Sequence, residues 1–453
     1  MYRRRFIEAG LTASGLGLVG TASARDDYRP GGPWAPNERA VNYDGYLDNE
    51  QLGERLRGIA ERSDRIELDQ IGESAGRGNP IWEVTVGDGD ESVHVINQIH
   101  GDEPTGAEAM VEILRRLATG SAPEVEAILD ALTITIVPRA NPDGANFVGD
   151  DGLGTDGEFR QRRYNTTEWD AGDSRYINAN SYAYNLDVPG YDLNRGFSII
   201  PGFTPGDEPA AWWDVEDEEA GLGYLNVPVD EIPLESEDGR PYEEIWSAGL
   251  NLNPETRAVT DSFLEADPDW ALTHHHQGPT AVPDSADGHS DRDWQSIMSV
   301  MAPYGPTYAG LDGVDYAPWV GQGNPFMSVD AQTRSLQLGG LVPERTDRFG
   351  GRLDTITRYA YGPLWGSYLD ALCPQTDAAG ALYEVSHQSD DRGHKARGTM
   401  VKVSVEAFMA TFERIADGSV HEVDERAYFD MPIAEDIDDP HDGSDRGRGT
   451  RLR

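Results

Sequence analysis

The residues best suited to chemistry are a histidine and a glutamate three positions apart, His100 and Glu103 in the segment QIHGDEPTG. Imidazole nitrogens and carboxylate oxygens are the usual ligands of a catalytic zinc ion, which takes three protein ligands and leaves a fourth position for water. Such a pair also occurs in ordinary loops. It therefore predicts a metal site only if the rest of the chain supplies a third ligand.

Three consecutive histidines, His274 to His276 in DWALTHHHQG, are the best source of that ligand. They end an apolar run that predicts a strand, after the helical pattern NPETRAVTDSFLEA. Successive side chains of a strand point to opposite faces, so His275 faces one way and its two neighbours face the other. One or two of the three can serve a single site. The other histidines stand singly and are predicted to lie on the surface: His94, His289, His387, His394, His421 and His441.

The segments around His100 alternate between strand and helix patterns. VHVINQI and LTITIV are short apolar strands, whereas AEAMVEILRRLATG places its apolar residues on one helix face and ends at Gly120. This alternation predicts an α/β sheet covered by helices on both faces. His100 and Glu103 then lie on a strand-to-helix loop at the carboxyl edge of the sheet, where α/β proteins bind their ligands.

The composition excludes some classes of function. The chain has 81 acidic and 37 basic residues, for a formal net charge of -44. Nucleic acid is bound by positive surface, so this charge excludes ordinary nucleic-acid binding. Carboxylates spread along the whole chain instead resemble the surface of a protein from molar salt, where charges are screened within roughly 3 Å.

The N-terminal segment MYRRRFIEAGLTASGLGLVGTASA has a twin arginine, Arg3 and Arg4, a weakly apolar middle and a small-residue end. It resembles a twin-arginine export signal cleaved near Ala24. No later run reaches the roughly 18 apolar residues that a membrane span needs. The mature protein is therefore expected to be secreted, without stable membrane association. The single cysteine, Cys373, cannot form an intrachain disulfide.

Further motifs follow one another along the chain: IGESAGRGNPIWEV, the His-x-x-Glu pair, RANPDG, YDLNRGF, YAYGPLWGSYLDAL and ALYEVS. In this order they resemble the M14 family of zinc carboxypeptidases, the carboxypeptidase A and B type, from about Tyr43 to residue 418. The resemblance implies a single three-layer α/β/α domain with a mixed, mostly parallel central sheet. It also implies one Zn2+ ion per chain.

The resemblance assigns the metal ligands. It implies that His100, Glu103 and His275 bind the zinc. The third ligand is placed at His275 because the family usually has a polar residue two positions before it, which here is Thr273. His274 is the alternative third ligand. Asp192 matches the acid that accepts a hydrogen bond from the first histidine and fixes its tautomer.

The resemblance also assigns the catalytic groups. Glu384 in ALYEVS matches the catalytic glutamate, and in EFRQRRYN the family's arginine best matches Arg163, with Arg160 and Arg162 as alternatives. Zinc lowers the pKa of its water towards about 7, and a nearby carboxylate can then take the proton as the water attacks a peptide carbonyl. The oxyanion that forms needs a cation beside the metal.

A substrate-binding set follows from the same resemblance. Asn194 and Arg195 would bind a free C-terminal carboxylate, because a guanidinium fork binds it bidentately and an amide adds a donor. Tyr361 would close over the bound carboxylate. Tyr368, seven positions later, matches the side-chain pocket and favours neutral C-terminal residues. Asp102 departs from the arginine that the best-known members have between their first two ligands, so the substrate contact of that arginine is not carried over to this chain.

The sequence thus predicts a metallocarboxypeptidase that acts on peptides or proteins with a free C-terminal carboxylate. One alternative is a zinc amidase acting on acyl-amino acids or γ-glutamyl wall peptides, and a second is a non-catalytic peptide- or glycan-binding relative. The expected organisation is a signal peptide at 1–24, a linker at 25–42, the catalytic domain at 43–418 and an acidic, partly disordered extension at 419–453.

We expect the fold to loosen in dilute buffer, because unscreened carboxylates repel one another. A thermal melt in about 0.1 M salt should therefore have a lower midpoint than a melt in about 3 M salt. Equal midpoints in the two conditions would contradict a salt-adapted surface.

Overall fold

The computed structural model describes residues 46–148, 161–166, 188, 190–198, 251, 253–277, 296–303, 327–343, 355–358, 366–386 and 397–433, together with a few two-residue strands. The predicted signal peptide, Tyr361 and most of 146–250 lie outside the described residues. So do His289, His387, His394 and His441.

One eight-stranded sheet forms the centre of the described fold. Its strands are β1 Ile66–Glu73, β2 Pro80–Val86, β3 Glu91–Asn97, β4 Leu132–Val137, β5 Trp270–Gln277, β6 Ser296–Met301, β7 Thr355–Arg358 and β8 Ala379–Ser386. Paired two-residue strands add Tyr28–Arg29 with Gly32–Pro33, Phe147–Val148 with Phe159–Arg160, Tyr182–Ala183 with Gly190–Tyr191, Trp213–Asp214 with Tyr224–Leu225, and Thr280–Ala281 with Glu435–Asp436.

The described helices flank this sheet. They are α1 Asn49–Ala60, α2 Thr105–Thr119, α3 Pro123–Ala131, α4 Pro142–Ala145, α5 Pro254–Ala266, α6 Val329–Gly340, α7 Tyr368–Thr376, α8 Arg397–Ala416 and α9 Arg426–Asp430. In the described part of the chain, 3-10 turns occur at Leu193–Arg195 and Ser419–Glu422. Among these described helices, none combines the length and the apolar character needed to cross a bilayer.

The strand order across the sheet is β7-β6-β8-β5-β3-β4-β2-β1. The four central strands β8, β5, β3 and β4 run parallel to one another. β2 is antiparallel to β1 and β4, while β6 is antiparallel to β8 and parallel to β7. The sheet is therefore mixed, with a parallel centre, as the sequence predicts.

Helices cover both faces of the sheet. His274 contacts α8 from one face of β5, and α8 also packs against α2 and α3. His94 contacts α5 and α7 from the other face, in register with Ala271. All eight residues of β5 are buried, as expected of a central parallel strand covered on both sides. The predicted three-layer α/β/α arrangement is confirmed.

The carboxyl ends of the parallel strands bring the candidate residues to one edge. β3 ends at Asn97 and leads to His100, while β5 ends at Gln277. In the parallel register His275 pairs with Glu384 of β8. Residues that are distant in sequence therefore meet where the strands end, in the position that α/β sheets use for ligands.

One expectation from the sequence needs correction. His94 is fully buried rather than on the surface, and its ring nitrogens lie 2.6 Å from the Tyr368 hydroxyl and 2.8 Å from Ser262 Oγ. These hydrogen-bond partners make the burial of the His94 ring possible. His421 is exposed, as predicted. The packed fold also continues past 418, because Val420 and Tyr428 are buried.

A buried glutamate, Glu255, lies at the start of α5. Its Oε1 accepts hydrogen bonds from the Ala75 N–H at 3.0 Å and from Asn165 Nδ2 at 3.2 Å. Burial is the largest influence on its side chain and raises the pKa of Glu255 to about 7. Because the protonated form is favoured in the fold, its contribution to stability is complete below the ordinary carboxyl pKa and is lost as pH rises through about 7.

We therefore expect Glu255→Gln to flatten the pH dependence of folding. From about pH 5 to pH 8, the free energy of unfolding of the unaltered protein should fall by about 1–3 kcal/mol relative to the variant. Chemical denaturation at several pH values measures this difference. Asp261→Asn, at an exposed position of the same helix, is the control and should follow the unaltered protein. Parallel profiles for Glu255→Gln and the unaltered protein would contradict the prediction.

Candidate active site

Three side chains from two separate segments converge at the carboxyl edge of the sheet. His100 and Glu103 lie on the loop between β3 and α2, and His275 lies in β5. All three are buried, and each offers a donor atom within 4.8 Å of the others. Among the described residues this is the one group of histidine, cysteine and acidic side chains with such geometry.

The distances within this group suit a single metal ion. Glu103 Oε1 lies 2.9 Å from His100 Nδ1, and Glu103 Oε2 lies 2.9 Å from His275 Nδ1. The two Nδ1 atoms are 3.2 Å apart. Ligands of a tetrahedral zinc, at bond lengths near 2.1 Å, lie about 3.4 Å from one another. The residues present therefore fit zinc both in their chemistry and in their spacing.

Asp192 orients the first of these histidines. Its Oδ1 lies 3.0 Å from His100 Nε2, and its Oδ2 accepts a hydrogen bond from Arg163 Nε at 2.8 Å. An Nε2–H that donates to Asp192 leaves the lone pair of Nδ1 directed at the cluster. A carboxylate behind a ligating histidine is the usual arrangement for fixing its tautomer.

The buried charges compensate one another. Burial opposes ionisation of Glu103, but His100 and His275 hold the pKa of its carboxyl well below the usual range. Burial and Arg163 oppose protonation of His100, yet Glu103 and Asp192 outweigh them and raise the pKa of His100 to about 9. A metal ligand must be unprotonated, so metal binding at this site would release a proton from His100.

Glu384 lies beside the cluster in β8 and lines the same cavity, which encloses about 80 Å³. Burial, followed by the charge of Glu103, raises the pKa of Glu384 to about 8. A divalent cation held by the neighbouring ligands would favour the ionised form. Glu384 thus has the position and the adjustable proton affinity of an acid–base group.

The structure separates the three arginines that the sequence left open. Arg163 lines the cavity, with one guanidinium nitrogen 3.9 Å from Glu103 Oε1. Arg162 points elsewhere: it donates to the backbone carbonyls of Tyr164 and Asn165 and stacks over the ring of Phe147. The side chain of Arg160 lies outside the described residues.

The histidine triplet divides between the two faces of the sheet, as its alternation predicts. His275 points to the cluster, whereas His274 Nε2 lies 2.7 Å from Ser404 Oγ of α8. The rings of His274 and His276 lie together, with centroids 5.8 Å apart. The geometry therefore brings His275, and not His274, into the donor group.

The candidate carboxylate-binding residues also reach the cavity. Asn194 and Arg195 line it from the turn that follows Asp192. The Oδ1 atom of Asn194 accepts a hydrogen bond from the Tyr368 N–H at 3.1 Å, which leaves its amide nitrogen as the group that donates. The candidate closing residue, Tyr361, lies outside the described part of the chain.

Tyr368, which the sequence predicts for the side-chain pocket, is not among the described residues that line the cavity. Tyr368 is fully buried, and its hydroxyl lies 2.6 Å from His94 Nδ1, on the side of the sheet covered by α5. It begins α7, so its ring packs into the core while the residues on either side of it, Ser367 and Leu369, line the cavity. The helical register, which a residue count cannot supply, decides which of these side chains faces the cavity.

Sequence reasoning missed Gln98, two residues before His100. This residue is buried and has a left-handed backbone with φ of 50°, a conformation that costs energy for a non-glycine residue. Its side chain donates to the Gly101 carbonyl at 2.8 Å and accepts from Arg139 Nε at 2.7 Å. These bonds stabilise the sharp turn that directs His100 into the site. A glutamine in a strand-like run gives no sequence signal of this backbone conformation.

The chain belongs to the zinc carboxypeptidase family, Peptidase_M14, whose family model matches residues 54–283, slightly more than half of the chain. A curated relative, Carboxypeptidase SOL1 of Arabidopsis thaliana, is 28% identical over 109 residues, which is 22% of this chain and 22% of the relative. The aligned part thus spans about a fifth of that relative's length.

Solved structures are similar over most of the chain. The crystal structure of thrombin activatable fibrinolysis inhibitor is 14% identical, with a TM-score of 0.52, over 86% of this chain and 78% of that chain. Carboxypeptidase A from Helicoverpa armigera is 16% identical over the same shares, with a TM-score of 0.47. The similarity to thrombin activatable fibrinolysis inhibitor, at a TM-score of 0.52 and this low identity, shows a shared fold.

The same substitution at two adjacent histidines should have different effects on metal binding. We expect His275→Gln to lose stoichiometric zinc, because glutamine cannot replace the Nδ1 donor of His275. His274→Gln should keep one zinc per chain, because that side chain lies on the other face of the strand. Metal analysis after dialysis measures both. Loss of zinc from His274→Gln with retention in His275→Gln would reverse the assignment.

Proposed function

We propose that this protein is a secreted zinc carboxypeptidase that hydrolyses the C-terminal peptide bond of peptides and proteins. The observation that supports this most is the convergence of His100, Glu103 and His275 within 4.8 Å, with Glu384 paired to His275 on the neighbouring strand. Family membership supports the same reaction class. The twin-arginine-like N-terminus supports export, and the net charge of -44 supports work at high salt.

A zinc ion held by the three ligands would polarise the scissile carbonyl and acidify a water molecule. Glu384 is the group beside the ligands that can take a proton from the attacking water and return it to the leaving amine. Arg163 adds a fixed positive charge next to the cavity, where an oxyanion forms. Asp192 holds both Arg163 and His100 in place.

Recognition of a chain end is assigned to Asn194 and Arg195. Both line the cavity, and the guanidinium can bind a terminal carboxylate through two parallel hydrogen bonds. The hydrogen bond from the Tyr368 N–H fixes the orientation of the Asn194 amide, so its nitrogen is the donor for the same carboxylate. A site with these groups favours chain ends over mid-chain bonds.

The remaining lining favours apolar or neutral C-terminal side chains. Met301, Leu369 and Leu382 contribute apolar side chains to this lining, and Thr273, His276 and Ser367 are its other members. In the described lining, the acidic side chains are Glu103 and Glu384, which are assigned to the metal and to proton transfer. A substrate lysine or arginine would therefore meet no additional carboxylate among these residues.

The zinc-loaded protein should hydrolyse N-blocked dipeptides that have a free, apolar C-terminal residue, in about 3 M salt. The same dipeptides with a C-terminal amide are the matched control and should react poorly, because they lack the carboxylate that Arg195 binds. Glu384→Gln should keep its zinc and lose about 10²–10⁴-fold in kcat, as expected when a general acid–base group is removed.

The panel also includes acyl-amino acids and γ-glutamyl peptides. Turnover of these compounds alone would contradict the carboxypeptidase assignment and favour a zinc amidase. Binding of peptides without turnover of any compound would favour a non-catalytic relative. Full activity of Glu384→Gln would remove Glu384 from the mechanism.

A further inference from the structure

The helix that follows Glu103 begins without a cap from its own residues. The N-cap position of α2 is Pro104, whose side chain makes no capping hydrogen bond. The first backbone N–H groups of a helix have no partner within the helix and need acceptors from elsewhere. The first of them, the Thr105 N–H, donates to His276 Nε2 at 3.1 Å.

This hydrogen bond links the two segments that present the candidate ligands. Thr105 lies two residues after Glu103, and His276 directly follows His275 in β5. The His276 ring lies on the opposite face of the strand from the His275 ring, beside His274. The His275 imidazole thus points to the donor group, and the His276 imidazole accepts a hydrogen bond from the start of α2, the helix that follows Glu103.

The start of α2 also packs closely on the sheet. A Cβ atom added at Gly106 would lie 2.6 Å from Asn97 Oδ1 and 2.8 Å from His274 Nδ1. Both distances are shorter than van der Waals contact allows, so a side chain at this position would push the helix outward. The absence of a Cβ therefore permits the approach that brings the Thr105 N–H to His276.

We propose that His276 is a positioning residue for the metal site: by capping α2 it sets the position of the Glu103 carboxylate relative to His275. The proposal rests on the zinc-binding role proposed above. The two histidines beside His275 then have roles that differ from metal binding. His274 joins β5 to α8 through Ser404, and His276 joins β5 to α2. Neither side chain has to contact the metal.

The expected effect is on metal affinity. Groups that orient ligands without binding the metal typically change metal affinity by 10- to 100-fold when they are removed. A displaced Glu103 would bind its metal with poorer geometry while His100 and His275 keep theirs. Glu384 on β8 is untouched by the substitution, so the loss should appear in zinc affinity before it appears in kcat at saturating zinc.

The test compares two amides at one position in the full-length protein. In His276→Gln the side-chain oxygen takes nearly the place of Nε2 and can still accept from the Thr105 N–H, whereas His276→Asn is one methylene too short. Competition with a chelator should give a zinc dissociation constant within about 3-fold of the unaltered protein for His276→Gln and at least 10-fold higher for His276→Asn. The visible spectrum of the cobalt-substituted protein should shift for His276→Asn alone.

Ser404→Ala is the control for stability. It removes the imidazole hydrogen bond of the neighbouring His274 on the same face of the sheet, and it should lower the midpoint of thermal unfolding without changing zinc affinity. Equal affinity of His276→Asn and the unaltered protein would overturn the proposal. So would equal losses from the two amides, or an equal loss from Ser404→Ala.

Folding and metal binding can be distinguished in this design. If His276→Asn does not fold, His276→Leu replaces it. If neither variant folds while His276→Gln does, the hydrogen bond at this position is required for folding itself, and the positioning role is overturned. If the unaltered protein binds no zinc, the proposed function fails first. If it binds zinc tightly and all variants match it, only the role of His276 fails.

Discussion

The site depends on the register of one buried strand. β5 pairs in parallel with β3 on one side and β8 on the other, and this pairing sets His275 beside Glu384. A slip of one residue would turn His275 to the opposite face and put a neighbouring histidine in its place in the donor group. Complete burial of β5 on both faces makes such a slip costly, because apolar and polar side chains would exchange environments. The rigidity of the sheet is therefore part of the site.

The second requirement is compensation of buried charge. Glu103 and Asp192 lie beneath the surface with His100 and Arg163 as their partners. Removing one partner from such a group costs about 3–5 kcal/mol, because it leaves an unpaired charge in a poorly solvated place. These buried charges lie at the carboxyl edge of the sheet, where a bound ligand can neutralise them. A bound divalent cation would replace part of the positive charge that protonated His100 otherwise supplies.

Residues that are not assigned to the metal or the substrate hold the functional side chains in position. The left-handed turn at Gln98 directs His100, and the N–H of Tyr368 orients Asn194. His276 caps the helix that follows Glu103. The last two of these contacts join different elements of the fold, so the geometry at the cavity depends on how those elements pack together. Such preorganisation is what a metal or a substrate requires of its binding groups.

The sequence by itself determined the local elements and the chemistry they offer. Apolar periodicity predicted β4 and α2, and motif order predicted the family, the donor residues and Glu384. These features follow from short-range patterns, which depend on neighbours in the chain. Tertiary structure decided between His275 and His274 and between Arg163 and Arg162, which the sequence had left open, and it alone showed that His94 is buried and that Tyr368 points into the core. Those outcomes depend on strand register and helix rotation, which are set by contacts between residues distant in sequence and therefore leave no local pattern to read.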